Sequence, residues 1–355
     1  MIEIKLGYLL VHLRSGPRGQ QAIDEVHAAE SAGYDSVWVN ESYGSDAVSM
    51  LGWLTPQTSE IGLGAAIMPA PARPPTAAAM AGATLDALSG GRFIFGFGPT
   101  GPQVSEGWYG VPYRKPWGRV REYVEVVREV LRREGPLNHS GPNYTLPLPA
   151  GGSGASGQGK ALKLNFHPVR KEIPVFLGAI GRKSVELCAE IADGWIPAYL
   201  DPASWESIWG EHLQAGFARS GRGPGDLEVS PTVQVAIGGD LETARTGARM
   251  RMTLYLGGMG SKRFNFYGEL ARRMGFGEVA DRVQELFLEG RKEEAFNAVP
   301  DDLLDRVCLL GDEDQVGEGL ARYAAAGVDR LIAIPVHADP AERLGTIERL
   351  AALRG

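Results

Sequence analysis

Short, almost unbroken apolar runs alternate along this chain with segments whose apolar residues recur every three or four positions. Ala28-Ala29-Glu30-Ser31-Ala32-Gly33-Tyr34-Asp35-Ser36-Val37-Trp38-Val39 reads as a helix end, a glycine and a buried strand. Tyr323-Ala324-Ala325-Ala326-Gly327-Val328-Asp329-Arg330-Leu331-Ile332-Ala333-Ile334 repeats the arrangement near the other end, and Leu187 to Ile196 is a looser copy. A glycine after the last helical turn supplies the left-handed cap, and a continuous apolar run makes a strand covered on both faces. Units of this kind at both ends and in the middle predict one parallel sheet spanning the chain, which suits a closed barrel better than an open sheet.

The remaining strands are expected over Ile4 to Leu10, Ile61 to Ile67, Arg92 to Gly96, Ile173 to Gly178 and Val229 to Ile237. Val120, Tyr123, Val124, Val127, Val130 and Leu131 hold the spacing of one helical apolar face. Asp339-Pro340-Ala341-Glu342 opens the last helix with a capping residue and proline at the first helical position. Two segments exceed a minimal barrel: a loop-like stretch over 135–172 with a Gly/Ser-rich run, and a helical insertion over 249–299. The expected fold is a (β/α)8 TIM barrel with these two insertions, a single domain over 1–355.

Composition narrows the function. The chain has 355 residues and a formal charge of −7, which argues against a nucleic-acid binder. No apolar run approaches the roughly 18 residues that a membrane helix needs. The start of the chain reads directly as a strand with no signal-peptide pattern. Its two cysteines, Cys188 and Cys308, form no C-x-x-C pair, so they read as core residues in a reducing cytoplasm. The six histidines are scattered, with no metal-ligand spacing, and no G-x-S-x-G nucleophile turn is present.

In a parallel barrel, ligands sit where strands end. Gly64-Ala65-Ala66 and Gly96-Phe97-Gly98-Pro99-Thr100-Gly101 put small residues there, which lets a flat ring approach the backbone. The second stretch matches G-x-G-x-x-G. It falls on about the fourth strand, however, Pro102 follows where a helix should open, and no acidic residue ends the next strand as a dinucleotide site requires. Gly178-Ala179-Ile180-Gly181-Arg182-Lys183-Ser184 joins a buried strand to a helix, with free N–H groups and two cations suited to a phosphate; an ordinary turn with solvated cations is the alternative. Asn40 and Glu41 end the second strand: Asn40 suits a ring hydrogen bond, and Glu41 is either a proton donor or a cap for the helix starting near Ser45-Asp46. Tyr43 and His12 are reserves for the proton. Trp108 and Tyr109 are candidates to wall a planar ligand or substrate, with core packing as the alternative.

Taken together, several of these stretches resemble one family: Val37 to Ala47, Thr84 to Phe93, Gly101 to Gly110, Ala189 to Trp195 and Leu256-Gly257-Gly258-Met259-Gly260. The chain resembles, nearly end to end, the luciferase-like monooxygenase superfamily of flavin and deazaflavin oxidoreductases, and more narrowly its coenzyme F420-dependent branch. The resemblance implies a homodimeric TIM barrel and a non-proline cis peptide near Gly64-Ala65-Ala66 that presses on the ring from behind. It places the cofactor phosphate at Gly178 to Ser184 and at Ala192, Asp193 and Gly194. Many relatives carry Asp-His where this chain has Asn40-Glu41, which counts against alcohol oxidation through an imidazole base. Gly181-Arg182-Lys183 adds a cation to the usual Gly-Pro-Lys. The implied activity is an F420H2-dependent reduction of a C=C, C=N or C=O in a small molecule or a peptide. FMN-dependent monooxygenation and a catalytically silent cofactor binder are the alternatives. Arg249, Arg251, Lys262, Arg263, Arg272 and Arg273 are candidates for a basic rim facing the polyglutamate tail of F420.

Overall fold

A computed structural model describes residues 2–11, 19–260 and 265–354. Its main sheet is parallel and curls into a barrel. The wall is built from β1 (Lys5–Leu10), β2 (Ser36–Val39), β3 (Gly62–Ala65), β4 (Phe93–Gly98), β5 (Val175–Leu177), β6 (Gly194–Trp195), β7 (Thr232–Ile237) and β8 (Arg330–Pro335). β1 lies between β2 and β8, and the order continues through β3, β4 and β5 to β6 on one side. Closure falls to residues 228–237. Glu228–Val229 pairs with β6, β7 pairs with β8, and Ala198 bridges to Thr232. The strand Cys308–Gly311 adds to the free edge of β7.

Around the barrel run α1 (Gly19–Ser31), α2 (Ala47–Leu54), α3 (Pro75–Leu88), α4 (Pro102–Gly107), α5 (Pro116–Arg132), α6 (Arg182–Ile191), α7 (Trp205–Ser220) and α8 (Leu241–Thr253). They continue as α9 (Phe266–Arg273), α10 (Gly277–Leu288), α11 (Lys292–Asn297), α12 (Asp301–Val307), α13 (Glu313–Ala325) and α14 (Pro340–Arg354). Gly33 and Gly327 take the left-handed backbone (both φ 78°) that the repeated unit requires after α1 and α13. Within 135–172 a small hairpin, His139–Ser140 with Thr145–Leu146, is tied to the α5 carboxylate of Glu122 by His139, Asn143 and Tyr144. Among the described residues, no helix is long and apolar enough to cross a membrane.

Side chains alternate along each strand. Leu6, Tyr8, Val37, Leu63, Phe95 and Val235 pack toward the helices, whereas Leu9, Trp38, Phe176, Ile196, Ile332 and Ile334 fill the interior. The interior plug is dominated by the fully buried indole of Trp38. Its Nε1 donates to Ser36 Oγ at 2.8 Å, and Arg330 Nη1 donates to the same oxygen at 2.5 Å. Arg330 and Lys5 both reach Glu228 at 2.7 Å, so the amino-terminal end of the barrel is closed by a satisfied polar layer. The strands stop at the opposite end, the end at which parallel barrels hold their ligands.

Candidate active site

The floor of the mouth is a bulge after β3. The Ala66–Ile67 peptide is cis, one residue beyond the stretch that the resemblance indicated. The bulge fits because its neighbours lack side chains. A Cβ on Gly96 would overlap the Ala65 carbonyl oxygen, and one on Gly98 would lie 2.5 Å from Ile67 Cδ1. A Cβ on Gly178 would stand 3.0 Å from Ile67 Cγ2. Gly98 and Gly178 therefore make room for Ile67, and Gly96 for the Ala65 carbonyl.

Gly64 corrects the expectation more sharply. A Cβ there would strike the Trp38 ring, so the residue is small for the interior indole and not for a ligand. Ala65 packs into the helix-side core. Of the three small residues, only Ala66 is partly exposed, together with Ile67.

Glu41 enters the mouth from the end of β2. Its carboxylate accepts from Arg73 Nη2 at 2.8 Å and, more distantly, from the Ala47 N–H at 3.4 Å. Arg73 also donates to Asp46, while Asp46 Oδ1 caps α2 through the Ser49 N–H at 2.7 Å. The helix cap is thus Asp46. Burial pushes the Glu41 carboxyl above the usual carboxylate range, and the hydrogen bond and charge of Arg73 pull the other way without cancelling the shift. Arg73 was not apparent from sequence. Its signal was a single charge inside Pro69-Ala70-Pro71-Ala72-Arg73-Pro74-Pro75. Its Nη1 is buried without a hydrogen-bond partner among the described residues.

Beside this pair, Tyr109 donates its hydroxyl to the Ser42 carbonyl at 3.1 Å. The exposed rings of Tyr43 and Trp108 face each other with centroids 6.5 Å apart. Asn40 is half-buried at the same strand end. Thr100 has a left-handed backbone (φ 57°), and Gly101 leads into α4. A helix does open at Pro102, which corrects the sequence reading: proline suits the first helical position, where its missing N–H is not needed. His12 lies outside the described residues.

After β5 the chain passes Gly178 and the buried Ala179 into α6, with Gly181 at its cap. Ser184 Oγ donates to the Gly181 carbonyl at 2.6 Å. Arg182 and Lys183 are exposed and, among the described residues, free of ion pairs. Asp193 and Gly194 are not brought to this place. They follow α6 at its far end, and ten helical residues span about 15 Å. Asp193 Oδ2 accepts from the Val175 N–H at 2.8 Å and from Arg128 at 3.0 Å, and Gly194 is small to admit the Phe176 ring. Both therefore serve the barrel wall.

The basic-rim expectation also changes. Arg249 pairs with Asp301, Arg272 with Asp281 and Glu269, and Arg273 with Glu269. Lys262 and Arg263 lie outside the described residues. Cys188 and Cys308 are buried free thiols, and burial pushes Cys308 up to about 12, as expected of core residues.

The family profile of luciferase-like monooxygenases matches residues 6–330. The chain belongs to that family. Within it, the chain is 45% identical over 352 residues to a Mycobacterium tuberculosis protein named "Putative coenzyme F420-dependent oxidoreductase Rv3520c", covering 99% of each. It is 27% identical over 309 residues to the 5,10-methylenetetrahydromethanopterin reductase of Archaeoglobus fulgidus, covering 87% of each. Among solved luciferase-like folds, the coenzyme F420-dependent tetrahydromethanopterin reductase from Methanopyrus kandleri superposes with a TM-score of 0.81 at 23% identity, over 98% of this chain and 97% of that one. That likeness supports the barrel.

Proposed function

We propose that this luciferase-like protein is an F420H2-dependent reductase. It would transfer a hydride from deazaflavin C5 to an activated C=C, C=N or C=O of an organic acceptor, a small molecule or a peptide. The observation that carries the reading is a convergence at one barrel end. The Ala66–Ile67 bulge, the buried Glu41–Arg73 pair and the exposed cations opening α6 all follow the carboxyl ends of barrel strands, in a chain 45% identical to a relative named for F420.

The residues fit an anionic, tailed, flat cofactor. The first turn of α6 offers N–H groups with Arg182 and Lys183 alongside, and Arg73 Nη1 is a buried donor with no acceptor among the described residues. When bound, F420H2 supplies the hydride. Gly178, Ala179, Gly181, Arg182 and Lys183 bind its phosphate, and the backbone at Ala66 backs the ring. Gly98, Thr100 and Gly101 border it, and Asn40 hydrogen-bonds it. Glu41 holds the proton that the acceptor takes up, and Arg73 positions the Glu41 carboxyl. Trp108 and Tyr109 wall the acceptor side, and Tyr43 is a reserve for the proton. His12 stands in reserve for the proton. The same reading makes the enzyme a cytoplasmic homodimer.

Separate titrations of the protein with F420 and with FMN test the reading. Tight F420 uptake with F420H2 oxidised by unsaturated acceptors is the expected outcome. Tight FMN binding without F420 uptake replaces it with a monooxygenase. F420 binding without turnover across an acceptor panel leaves a silent cofactor binder.

A further inference from the structure

The barrel wall has a weak seam between β6 and β7. Ala198 still bridges to Thr232, but the chain then turns away through Tyr199, whose backbone is left-handed (φ 54°). The helical insertion fills the gap from outside with Arg251, near the end of α8, and Tyr255, in the π-helical turn Leu254–Gly258. A cavity of about 30 Å³ remains, lined by Tyr199, Thr232, Gln234, Arg251, Tyr255 and Ile334 among others. A water-sized oxygen takes up about 10–15 Å³ on this measure, so the space holds two.

Two polar atoms beside this space stand out. Gln234 Oε1 is buried with no hydrogen-bond partner among the described residues, and the buried Tyr199 hydroxyl has the Arg251 guanidinium beside it but outside ordinary hydrogen-bond geometry. Their residues are only 3% and 8% exposed. Arg251 donates from Nη2 to the Tyr255 hydroxyl at 3.3 Å and lies 5.3 Å over that ring. Unlike Arg249, Arg272 and Arg273, it has no carboxylate partner among the described residues. Segments 12–18 and 261–264 contain no Asp or Glu, so no side-chain carboxylate from them can serve it. Rotating the Gln234 amide would turn its NH2 into the cavity and let Cys308 Sγ, now 3.6 Å from Nε2, donate to its oxygen. Guanidinium, phenol and amide would then supply three kinds of donor around room for two oxygens. A partly buried cation without a counter-ion is costly, and a water molecule brings no charge.

We propose that this wall cavity is a carboxylate-binding site, and that the carboxylate belongs to the hydride acceptor, an unsaturated organic acid. The second half rests on the F420-dependent reading above. Its support is Ile334, which lines the cavity and belongs to the interior cluster against which Ala66 and Ile67 pack, so the cavity borders the barrel interior beneath the mouth. A planar guanidinium fork with two oxygen positions suits a carboxylate.

Calorimetric titration of the full-length protein with sodium acrylate, sodium acetate, acrylamide and inorganic phosphate tests the site. Saturable binding of the two carboxylates alone is expected, weakened at least about tenfold in Arg251→Met and about threefold in Tyr199→Phe. If Arg251→Met fails to fold, Tyr199→Phe and Gln234→Leu decide, since each removes a polar group with little change in volume. Titrations that do not saturate, an equal response to acrylamide or phosphate, or unchanged affinity in both milder variants overturn the site. Turnover of F420H2 with an unsaturated acid and with its methyl ester tests the acceptor. A large preference for the acid that vanishes in Arg251→Met is expected. Equal turnover of acid and ester overturns the assignment to the acceptor. Carboxylate binding that survives while no F420 binds overturns the F420 reading and, with it, the acceptor, but upholds the site.

Discussion

Arg73 and Glu41, thirty-two residues apart in sequence, meet at 2.8 Å in the barrel mouth, and Arg73 holds Asp46 at the same distance. One cation thus ties the end of β2 to the start of α2. Burial nevertheless keeps the Glu41 carboxyl above its ordinary range. A carboxyl raised in this way keeps its proton to higher pH than an exposed carboxylate does, as a proton donor requires.

Replacing Glu41 with Gln preserves shape and removes the exchangeable proton. The expected result is a fall in turnover of F420H2 of about 10² or more, with F420 affinity nearly unchanged. Turnover that depends on protonated Glu41 declines as pH rises through its pKa. Arg73→Met removes a cation that favours the charged form, so that decline moves to higher pH. A pH–rate profile of the two variants beside the parent protein checks both points. An unchanged profile in Arg73→Met, or full activity in Glu41→Gln, removes Glu41 from the proton path.

Glu122 predicts how the fold responds to acid. Burial raises its pKa, but hydrogen bonds from Asn143, His139 and the N–H groups of Tyr144 and Asn143 outweigh this and hold the carboxylate below its usual range. A folded value below the unfolded one stabilises the protein fully above the unfolded value, and this contribution drains away as pH falls through the folded value. Thermal unfolding should therefore show stability declining below about pH 4.5. Glu122→Gln should cost about 2 kcal/mol at neutral pH and flatten part of the acid limb. Equal acid sensitivity in both proteins would remove the hairpin clamp as a cause.

The barrel was legible because its signals are local. The glycine after α1 and after α13, followed by continuous apolar strands, needs only backbone geometry and burial to be read. The site was legible only in part. Gly178 to Lys183 is a contiguous stretch, a loop running into the first turn of α6, and its position after β5 follows from chain order. Arg73, by contrast, reaches Glu41 through tertiary packing, for which sequence spacing carries no signal. Asp193 misled because a loop match does not reveal which end of the barrel a loop occupies; it follows a helix that has already run away from the mouth. Gly64 misled because a glycine records a close approach without recording what approaches, and here that neighbour is Trp38.

The two cations opening α6 should act through charge. Arg182→Ala with Lys183→Ala is expected to weaken F420 binding by roughly tenfold or more, since each charge-assisted hydrogen bond contributes about 1.5–3 kcal/mol before solvent screening reduces it. Added salt should weaken the parent protein more than the double variant, because exposed charges are screened. F420 fluorescence titrations at low and high ionic strength check this. Equal salt dependence in both proteins would place the anionic tail elsewhere.

Gly96 carries the last prediction. It is buried in β4, and a Cβ there would overlap the Ala65 carbonyl oxygen, the backbone group that leads into the bulge. The obstacle is main chain held in the barrel wall, so it cannot swing aside as a flexible side chain would. Gly96→Ala must therefore push β3 and β4 apart or displace the bulge, at a cost of about 1–3 kcal/mol for overpacking. Unfolding should shift to lower denaturant, and F420 affinity should fall in the molecules that remain folded, because the floor at Ala66 moves with the carbonyl. Gly225→Ala meets nothing within 4 Å and serves as the control, with stability and affinity close to the parent. If Gly96→Ala loses stability yet binds F420 as tightly as the control, the floor of the mouth does not contact the ring.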